Sequence, residues 1–415
     1  MAVSESVQRL MDEVDLDRAL SATAGSVVHT PTVVSEELGE LAGGTVALKC
    51  ECLQRTGSFK LRGALTKVEA LGSRASAGLV TASAGNHGRA VAQAARIKGI
   101  SCEVFMPRDA PVSKVAAVEE LGANVNLSGS SVEEALALAR ERAASVRGEG
   151  PALVHPFDDV DVIAGQGTVG MELLEDVEQL ARVVVPVGGG GLASGVGVAL
   201  RRAVAKVELV GVQASACAPY AAVLGGLGEP LELPLSTAAT IADGIALKTP
   251  GELTLPLLRD LLDEVVTVTE DEIADGMVFL AERSKIVAEG AGAVAVAALL
   301  SGRLPAVAGC TVAVVSGGNV DGGLLAAVLR RGETEEGRRV RLFTRVADRP
   351  GALAELLSVV GGARANLLTL EHVREAIPLH VRETGVELTL ETRGPEHTAE
   401  LVESLERKGY EVSVE

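Results

Sequence analysis

Short runs of apolar residues alternate with alanine-rich helical segments through most of the chain, from Gly78 onward. The runs are continuously apolar, which is typical of strands that helices cover on both faces of a parallel sheet. Alternating strands and crossover helices predict an α/β fold with parallel-rich sheets. We expect strands at Leu79 to Thr81, Cys102 to Met106, Asn124 to Leu127, Ala152 to His155, Arg182 to Val187, Val207 to Val212 and Thr311 to Val315.

The pattern changes after residues 329–339, a charged stretch with two glycines that we predict to be a linker. Apolar and polar residues then alternate from Val340 to Val346 and from Val386 to Leu390, which predicts antiparallel strands with one buried face. Helical spacing occurs from Leu353 to Val360 and from Leu401 to Leu405. The order strand, helix, strand, strand, helix, strand is ferredoxin-like.

A chain of 415 residues, 47% of them hydrophobic, exceeds the usual size of one domain. We therefore expect a large domain at residues 1–328 with a smaller lobe inserted at about 50–155, the linker at 329–339, and a C-terminal domain at 340–415. The net charge of −18 would repel nucleic acid and an anionic membrane surface. A small molecule is the expected partner.

The segment from Met1 to Leu20 has no apolar run after a basic start, so no secretory signal is expected. The uncharged stretch from Val183 to Leu200 approaches the length of a membrane span, but Pro186 and four glycines would break a spanning helix. Cys50 and Cys52 are too closely spaced for a usual metal-binding pair. These features predict a soluble, cytoplasmic protein without a metal site.

A single lysine, Lys60, follows Gly57, Ser58 and Phe59, before a helical segment expected to start near Arg62. A lysine amine becomes a nucleophile only when its pKa is depressed, and a glycine-rich turn at a helix start could remove it from water. Taken by itself, Lys60 is interpreted as an ordinary surface lysine, and only other segments of the chain can indicate a catalytic role.

Two turns follow predicted strands and enter helices. Residues 83–88, Ser-Ala-Gly-Asn-His-Gly, open a helix expected to run through Lys98, and N–H groups at a helix start suit a carboxylate. The alternative is a capped turn with Asn86 in a left-handed conformation. Four glycines at residues 188–191 let backbone donors approach a phosphate, or they form a purely structural turn. Their spacing fits neither a dinucleotide nor a nucleoside triphosphate motif.

Two further segments place polar groups at permissive backbone positions. Ser316-Gly317-Gly318-Asn319 lies at the carboxyl end of the last predicted strand of the large domain, where Ser316 could cap a turn or face a ligand. Glu289-Gly290-Ala291-Gly292-Ala293 opens another alanine-rich helix. The histidines do not pair with acids at helical spacing, so these segments assemble no metal site.

Together these segments resemble the threonine dehydratases, or threonine ammonia-lyases, in the tryptophan-synthase-β-like family of pyridoxal phosphate enzymes. The C-terminal domain, with Asp348-Arg349-Pro350-Gly351, resembles the amino-acid-binding regulatory domain called ACT. The resemblance covers nearly the whole chain and implies a two-lobed pyridoxal phosphate fold of the second type with a C-terminal ACT domain. The motifs that carry it, besides those above, are His29-Thr30-Pro31 and Thr240-Ile241-Ala242-Asp243-Gly244-Ile245-Ala246.

The resemblance also implies roles for individual residues. Lys60 would hold pyridoxal phosphate as a Schiff base and act as the catalytic base, Phe59 would pack on the cofactor ring, and Asn86 would bond the ring hydroxyl. Ser316 would bond the ring nitrogen. A neutral serine cannot keep that nitrogen protonated, so the ring is a weaker electron sink and rapid elimination is favoured over transamination. The phosphate would bind Gly188, Gly189, Gly190, Gly191 and Leu192, and the substrate carboxylate would bind Ser83, Ala84, Gly85, Asn86 and His87.

The implied activity is deamination of L-threonine to 2-oxobutanoate and ammonia, and of L-serine to pyruvate and ammonia. Three positions depart from relatives. Ala84 stands where serine racemases carry a second serine as acid, so racemisation is disfavoured. Gln213 and Pro219 align with the acids of a divalent-cation site, so no metal is assigned.

Several alternatives stay open at this stage. A methyl group contributes only about 1–3 kcal/mol to selectivity, so the substrate could be serine or another β-hydroxy amino acid. A non-catalytic amino-acid sensor is the rival from another class. The role in isoleucine biosynthesis or threonine catabolism is open, an amino-acid effector is expected at the ACT domain, and relatives suggest a homotetramer or homodimer.

Overall fold

The computed structural model describes residues 4–144, 150–203, 206–225, 240–374 and 380–414. The chain divides into two compact units, Met1–Asp321 and Gly322–Glu415. Residues 1–3 of the N-terminal segment considered above, 145–149 of the predicted smaller lobe, and 375–379 and 415 of the predicted C-terminal domain lie outside the described residues. Within the described ranges, no helix combines the length and apolarity that crossing a membrane requires.

The described residues contain 14 strands, β1 to β14 in chain order. They are Thr32–Val34, Thr45–Lys49, Leu79–Ala82, Cys102–Met106, Asn124–Leu127, Ala152–Leu153, Leu180–Pro186, Glu208–Ala214, Glu264–Val268, Cys310–Val314, Arg339–Ala347, Asn366–Val373, Glu383–Glu391 and Val412–Val414.

The same ranges contain 16 α-helices, α1 to α16. They are Glu5–Glu13, Leu16–Thr23, Glu36–Ala42, Lys60–Leu71, Asn86–Lys98, Val112–Glu119, Val132–Ala144, Val160–Asp176, Gly191–Arg202, Pro219–Leu224, Thr254–Leu261, Glu270–Glu282, Gly290–Leu300, Gly322–Glu335, Ala352–Gly362 and Pro395–Glu406.

The larger sheet of the first unit has six strands in the order β1-β2-β10-β7-β8-β9. Neighbouring strands of this sheet are parallel, except that β1 runs antiparallel to β2. The central strands β7 and β10 contain runs of valine and alanine that are fully buried, as expected for a sheet covered on both faces. Helix α13 is apolar all round and nearly every residue in it is buried, so it packs inside the unit.

The smaller sheet has four parallel strands in the order β5-β4-β3-β6. All four were predicted, and β4 and β5 have the predicted bounds; β6 ends at Leu153, earlier than expected. The α/β class with parallel-rich sheets is therefore confirmed. The strands β1, β2 and β9 of the larger sheet were not predicted: β1 and β2 precede the alternating pattern that starts at Gly78, and β9 lies at an edge of the sheet.

The second unit has a four-stranded antiparallel sheet in the order β12-β13-β11-β14. Val340, Leu342 and Val346 of β11 are buried and alternate with exposed arginines, as the period of two predicted. Helices α15 and α16 supply Leu356 and Leu401 to the same core. The chain order and the sheet order are those of the ferredoxin-like fold that was expected.

The segment predicted as a linker is largely helical, because α14 continues to Glu335 and β11 begins at Arg339. A charged sequence suits an exposed helix when opposite charges are four residues apart, as in the pair of Arg331 and Glu335 at 2.6 Å. The boundary between compact units also lies before this helix, at Asp321.

Candidate active site

A cavity of about 410 Å³ lies in the first unit, beyond the carboxyl ends of strands from both of its sheets. Such ends are where ligands bind in open α/β sheets. All residues that the sequence assigned to catalysis, cofactor or substrate line this cavity. They are Phe59, Lys60, Ser83, Ala84, Gly85, Asn86, His87, Gly188, Gly189, Gly190, Gly191, Leu192 and Ser316.

Lys60 is the first residue of α4, so this helix begins two residues before the expected start. Its Nζ donates to the backbone carbonyl of Pro156 at 2.8 Å and lies 5.1 Å from the centre of the Phe59 ring. Burial lowers the pKa of Lys60 to about 8, against the opposing effect of the Glu289 carboxylate. With this pKa about a tenth of the amine is neutral at pH 7, far more than for an ordinary lysine, and the neutral form is what a nucleophile or base requires.

The four glycines form the turn between β7 and α9. A Cβ atom on Gly189 would lie 2.1 Å from the Phe157 ring, so no side chain fits there. Gly190 has a φ of +87°, which other residues rarely adopt. Helix α9 begins at Gly191, and its first N–H groups have no acceptor within the helix. The turn therefore offers several backbone donors at the positive end of a helix, as a phosphate needs.

Two hydroxyl groups hold this turn from behind. The Tyr220 hydroxyl donates to the Gly189 carbonyl at 2.9 Å, and Thr254 Oγ1 donates to the same oxygen at 2.8 Å. The two hydroxyls also lie 2.7 Å apart. Sequence reasoning missed Tyr220, Thr254 and Phe157, because no local motif marks residues that meet the turn only through the fold.

The polar turn at residues 83–88 leads into α5, which begins at Asn86 and ends at Lys98 as predicted. The Ser83 hydroxyl accepts a hydrogen bond from the Gly85 N–H at 3.0 Å. The N–H groups of the first helical turn remain without acceptors in the helix and can receive a carboxylate. This loop faces the same cavity as the glycine turn.

His87 is buried and its Nε2 pairs with the Val154 carbonyl at 3.0 Å. A carbonyl can only accept, so Nε2 carries the proton. Burial lowers the pKa of His87 to about 3, with a further contribution from the charge of Lys60. The imidazole is therefore neutral at physiological pH.

Glu289 is an acidic residue of the cavity that sequence reasoning noted without giving it a role. It is only 6% exposed, and Asn86 Nδ2 donates to its Oε1 at 2.5 Å. Burial and the nearby charge of Asp243 raise the pKa of Glu289 to about 7, despite the hydrogen bond from Asn86. Asp243 itself pairs with Lys114 at 2.5 Å beside the cavity.

Ser316 is buried and lies just beyond the end of β10. Its Oγ donates to the Ala291 carbonyl at 3.3 Å, which is a long hydrogen bond that a better acceptor could replace. The backbone around it joins two sequence motifs, because the Phe59 N–H donates to the Ser316 carbonyl at 3.2 Å and Ser58 bridges to Gly317. The strand end at Ser316 thus positions the segment before Lys60.

A buried ionic cluster lies under α4. The Arg62 guanidinium donates to both carboxylate oxygens of Glu51, at 2.8 and 2.9 Å, and of Glu172, at 2.7 and 2.9 Å. Lys49 Nζ lies 2.7 Å from Glu172 and donates to the Thr30 carbonyl at 2.8 Å. Thr30 of the His29-Thr30-Pro31 motif therefore contacts this cluster through its carbonyl. Sequence reasoning did not predict the cluster, because its members are far apart in the chain.

Gln213 and Pro219, where the resemblance implied that a cation site is lost, have contacts within the protein. Gln213 Oε1 accepts from the N–H groups of Tyr220 and Ala221, both at 3.0 Å. Pro219 is the first residue of α10. Over the parts of the chain that the structure describes, no group of three His, Cys, Asp or Glu residues is arranged to hold a metal ion.

The residues present fit pyridoxal phosphate. The glycine turn presents only backbone to the cavity, and helix α9 begins there, so its first N–H groups are available to a phosphate. Lys60 supplies an amine with a lowered pKa for the cofactor aldehyde. Ser316 supplies a neutral donor whose present acceptor is distant.

Comparison with known proteins gives consistent matches. The family model described as pyridoxal-phosphate dependent enzyme matches residues 24–317. An L-threonine ammonia-lyase of Thermotoga maritima is 45% identical over 94% of this chain and 96% of its own length. The solved structure of threonine deaminase isoform 2 from Solanum lycopersicum has 30% identity and a TM-score of 0.71, over 79% of this chain and 89% of its own. Maize serine racemase has 34% identity and a TM-score of 0.70, over 78% and 98%.

Proposed function

The chain belongs to the pyridoxal-phosphate dependent enzyme family, and from this premise we propose that it is a threonine ammonia-lyase. It converts L-threonine to 2-oxobutanoate and ammonia, and also L-serine to pyruvate and ammonia. The similarity to the Thermotoga maritima ammonia-lyase over 94% of this chain, including the C-terminal unit, supports the choice of threonine.

One observation carries the proposal: the Lys60 amine, the glycine turn before Leu192 and the loop at residues 83–88 face one cavity. These three elements come from different parts of the chain and supply a nucleophile, a phosphate site and a carboxylate site. An amino acid held by its carboxylate at the loop would have its α-carbon beside the cofactor. An amino-acid sensor without catalysis needs no such amine in the cavity.

Bound pyridoxal phosphate withdraws electrons from the α-carbon and so makes its proton acidic. Lys60 is the base that removes this proton, since its lowered pKa gives it a neutral amine near physiological pH. The N–H groups at the start of α5 hold the substrate carboxylate. The β-hydroxyl takes up a proton and leaves as water, and the released enamine then takes up one water to give the 2-oxo acid and ammonia.

Two neutral side chains favour elimination over competing reactions. Ser316 cannot keep the ring nitrogen protonated, so negative charge at the α-carbon is not stored for long and transamination is slow. Ala84 has no exchangeable proton and lines the cavity in the loop that holds the substrate. Without an acid there, return of a proton to the opposite face of the α-carbon is disfavoured, and racemisation with it.

The test combines substrate analysis with a variant. The purified enzyme is incubated with L-threonine, L-serine and their D-forms, and the 2-oxo acid, ammonia and enantiomer composition are measured. We expect 2-oxobutanoate and ammonia in equal amounts from L-threonine, and no inversion of the amino acid that remains unreacted. Lys60→Ala abolishes covalent cofactor binding and turnover, whereas Lys98→Ala, an exposed lysine at the end of α5, retains both. Turnover by Lys60→Ala near the original rate contradicts the proposal.

The second unit is proposed to be an ACT-type regulatory domain. Its ferredoxin-like sheet and the turn from Asp348 to Gly351, which joins β11 to α15, support an amino-acid effector site there. Backbone N–H groups at the start of α15 suit the effector carboxylate. We propose isoleucine or valine as effector, a homotetrameric or homodimeric assembly, and a cytoplasmic location.

A further inference from the structure

Four side chains along the cavity form a continuous chain of hydrogen bonds. Arg89 Nη1 donates to Asn319 Oδ1 at 2.5 Å, and Asn319 Nδ2 donates to Asn86 Oδ1 at 2.6 Å. Asn86 Nδ2 then donates to Glu289 Oε1 at 2.5 Å. All four residues line the cavity that contains Lys60.

The direction of this chain is fixed by its outer end. A guanidinium can only donate, so the Asn319 oxygen must face Arg89. Asn319 Nδ2 also donates to the backbone carbonyl of Thr56 at 2.8 Å, and a carbonyl can only accept. Both groups of the Asn319 amide are thereby assigned, and reversing it would place two acceptors, or two donors, against each other.

The assigned Asn319 amide fixes the next amide in turn. Its second N–H points at Asn86, so Asn86 must accept at Oδ1 and present its nitrogen on the other side. One N–H of Asn86 is taken by Glu289, and the other remains for a molecule bound in the cavity. This holds whether the Glu289 carboxyl is ionised or protonated, because the outer end alone sets the direction.

We propose that Arg89 and Asn319 are positioning residues that hold Asn86 with an N–H, rather than its oxygen, toward the ring hydroxyl of pyridoxal phosphate. An N–H donor stabilises the ionised form of that hydroxyl, whereas an amide oxygen would stabilise the protonated form. The inference rests on the proposed function in so far as Asn86 must face the cofactor. It adds a reason why the Ser316-to-Asn319 motif ends in an asparagine.

The backbone near Lys60 is shaped to admit this arrangement. Gly57 has a φ of +75°, and a Cβ atom on it would lie 2.3 Å from Asn319 Oδ1. The Gly318 N–H donates to the Gly57 carbonyl at 2.9 Å. Asn319 therefore lies directly against the segment that carries Lys60, and a side chain at Gly57 would displace it.

The experiment removes the donor that orients the Asn86 amide, by making the variant Asn319→Asp in the cofactor-loaded enzyme. A carboxylate can pair with Arg89 but cannot donate to Asn86, so the Asn86 amide turns its nitrogen toward it. The Asn86 oxygen then faces the cavity and Glu289, whose carboxyl takes up a proton and donates to that oxygen. The readout is the absorption spectrum of the resting, lysine-bound cofactor without substrate. We expect the ratio of the band of the ionised ring hydroxyl to that of the protonated form to fall about tenfold.

Val320→Asp is the matched control, because it adds the same charge at the next cavity-lining position without replacing a member of the chain. This variant should keep the ratio within about twofold. An unchanged ratio in Asn319→Asp, or an equal fall in Val320→Asp, overturns the proposal. If Asn319→Asp does not take up cofactor, Asn319→Leu is used instead, since it frees the Asn86 amide without adding charge. A fall of the ratio by about twofold or more supports the proposed orientation of Asn86, and an unchanged ratio overturns it.

The spectrum is read without substrate, so its outcome does not depend on threonine being the substrate. If the proposed activity is absent but the band ratio falls in Asn319→Asp as expected, the proposed orientation of Asn86 still stands. If the proposed activity is present but the band ratio does not change in Asn319→Asp, only the proposed orientation of Asn86 is overturned.

Discussion

Arg62 donates from both Nη atoms to the two carboxylate oxygens of Glu172, at 2.7 and 2.9 Å, across 110 positions of the chain. Both side chains are buried, and Arg62 lies two positions after Lys60 in α4. This paired contact fastens the helix that begins with Lys60 to α8 of the same unit. Its removal leaves charged groups unpaired inside the protein.

We expect Arg62→Met to lower the free energy of unfolding of the first unit by about 3–5 kcal/mol, because the Glu51 and Glu172 carboxylates lose their buried partner. Lys98→Met serves as control, since it removes the exposed pair of Lys98 and Glu69 and should cost less than about 1 kcal/mol. Urea unfolding followed by circular dichroism measures both variants. Equal shifts of the two midpoints would mean that the buried cluster does not stabilise the fold.

Gly57→Ala should destabilise the protein more than Gly25→Ala does. Both glycines have a left-handed φ, of +75° and +70°, so both variants carry a backbone cost of about 1–2 kcal/mol. At Gly25 nothing lies within 4 Å of the added Cβ, whereas at Gly57 it would lie 2.3 Å from Asn319. Thermal unfolding and the dissociation constant of pyridoxal phosphate report the difference, and affinity for the cofactor should fall only in Gly57→Ala.

The pKa of Lys60 gives a pH prediction for the cofactor-free enzyme. Only the neutral amine attacks an aldehyde, and it predominates above the pKa, which burial lowers to about 8. The rate of covalent capture of pyridoxal should therefore rise with pH through about 8 and then level off. A free lysine side chain in solution continues to gain reactivity up to about pH 10.4. A profile for the enzyme that matches the free side chain would show that Lys60 is not desolvated.

Ser316→Asp tests whether this residue faces the cofactor ring. A buried carboxylate favours protonation of the ring nitrogen, so dehydration of threonine should slow by roughly tenfold and side transamination should increase. Ser301→Asp, on the partly exposed turn at the end of α13, is the control and should leave both rates unchanged. A cofactor-loaded Ser316→Asp enzyme with the original product ratio would place the side chain away from the ring.

The second unit should make the enzyme sensitive to a free amino acid. Allosteric coupling is commonly about 1–3 kcal/mol, so isoleucine or valine should shift the threonine saturation curve roughly 5-fold or more. Truncation after Asp321, where the first compact unit ends, should abolish this shift while cofactor binding is retained. Curves for the full-length enzyme that coincide with and without each effector would leave only a structural role for this unit.

The fold class and the set of cavity residues could be predicted because each depends on local signals. Buried strands show as apolar runs, and the glycine turn before Leu192 and the loop that contains Asn86 follow such runs directly. Their partners could not be predicted in the same way. Phe157, Tyr220 and Glu172 become relevant only when strands and helices far apart in sequence pack together, and nothing in their own neighbourhoods marks them.

Arg89 is an instructive intermediate case. It lies three positions after Asn86 in α5, so helical spacing places the two on one face. That spacing alone would have indicated a neighbour of the predicted site. The direction of the hydrogen bonds that connect them depends on Asn319, which comes from the other end of the first unit, and therefore required the structure.

The bridge between Ser58 and Gly317 has a consequence for synthesis on the ribosome. The segment that carries Lys60 leaves the exit tunnel long before β10 and the residues after it exist. At roughly 5 to 20 residues per second, the nascent chain spends tens of seconds without this closing contact. The lysine that holds the cofactor is thus translated early, but the contact that closes its surroundings forms late. Binding of pyridoxal phosphate therefore belongs to the final stage of maturation rather than to nucleation of the fold.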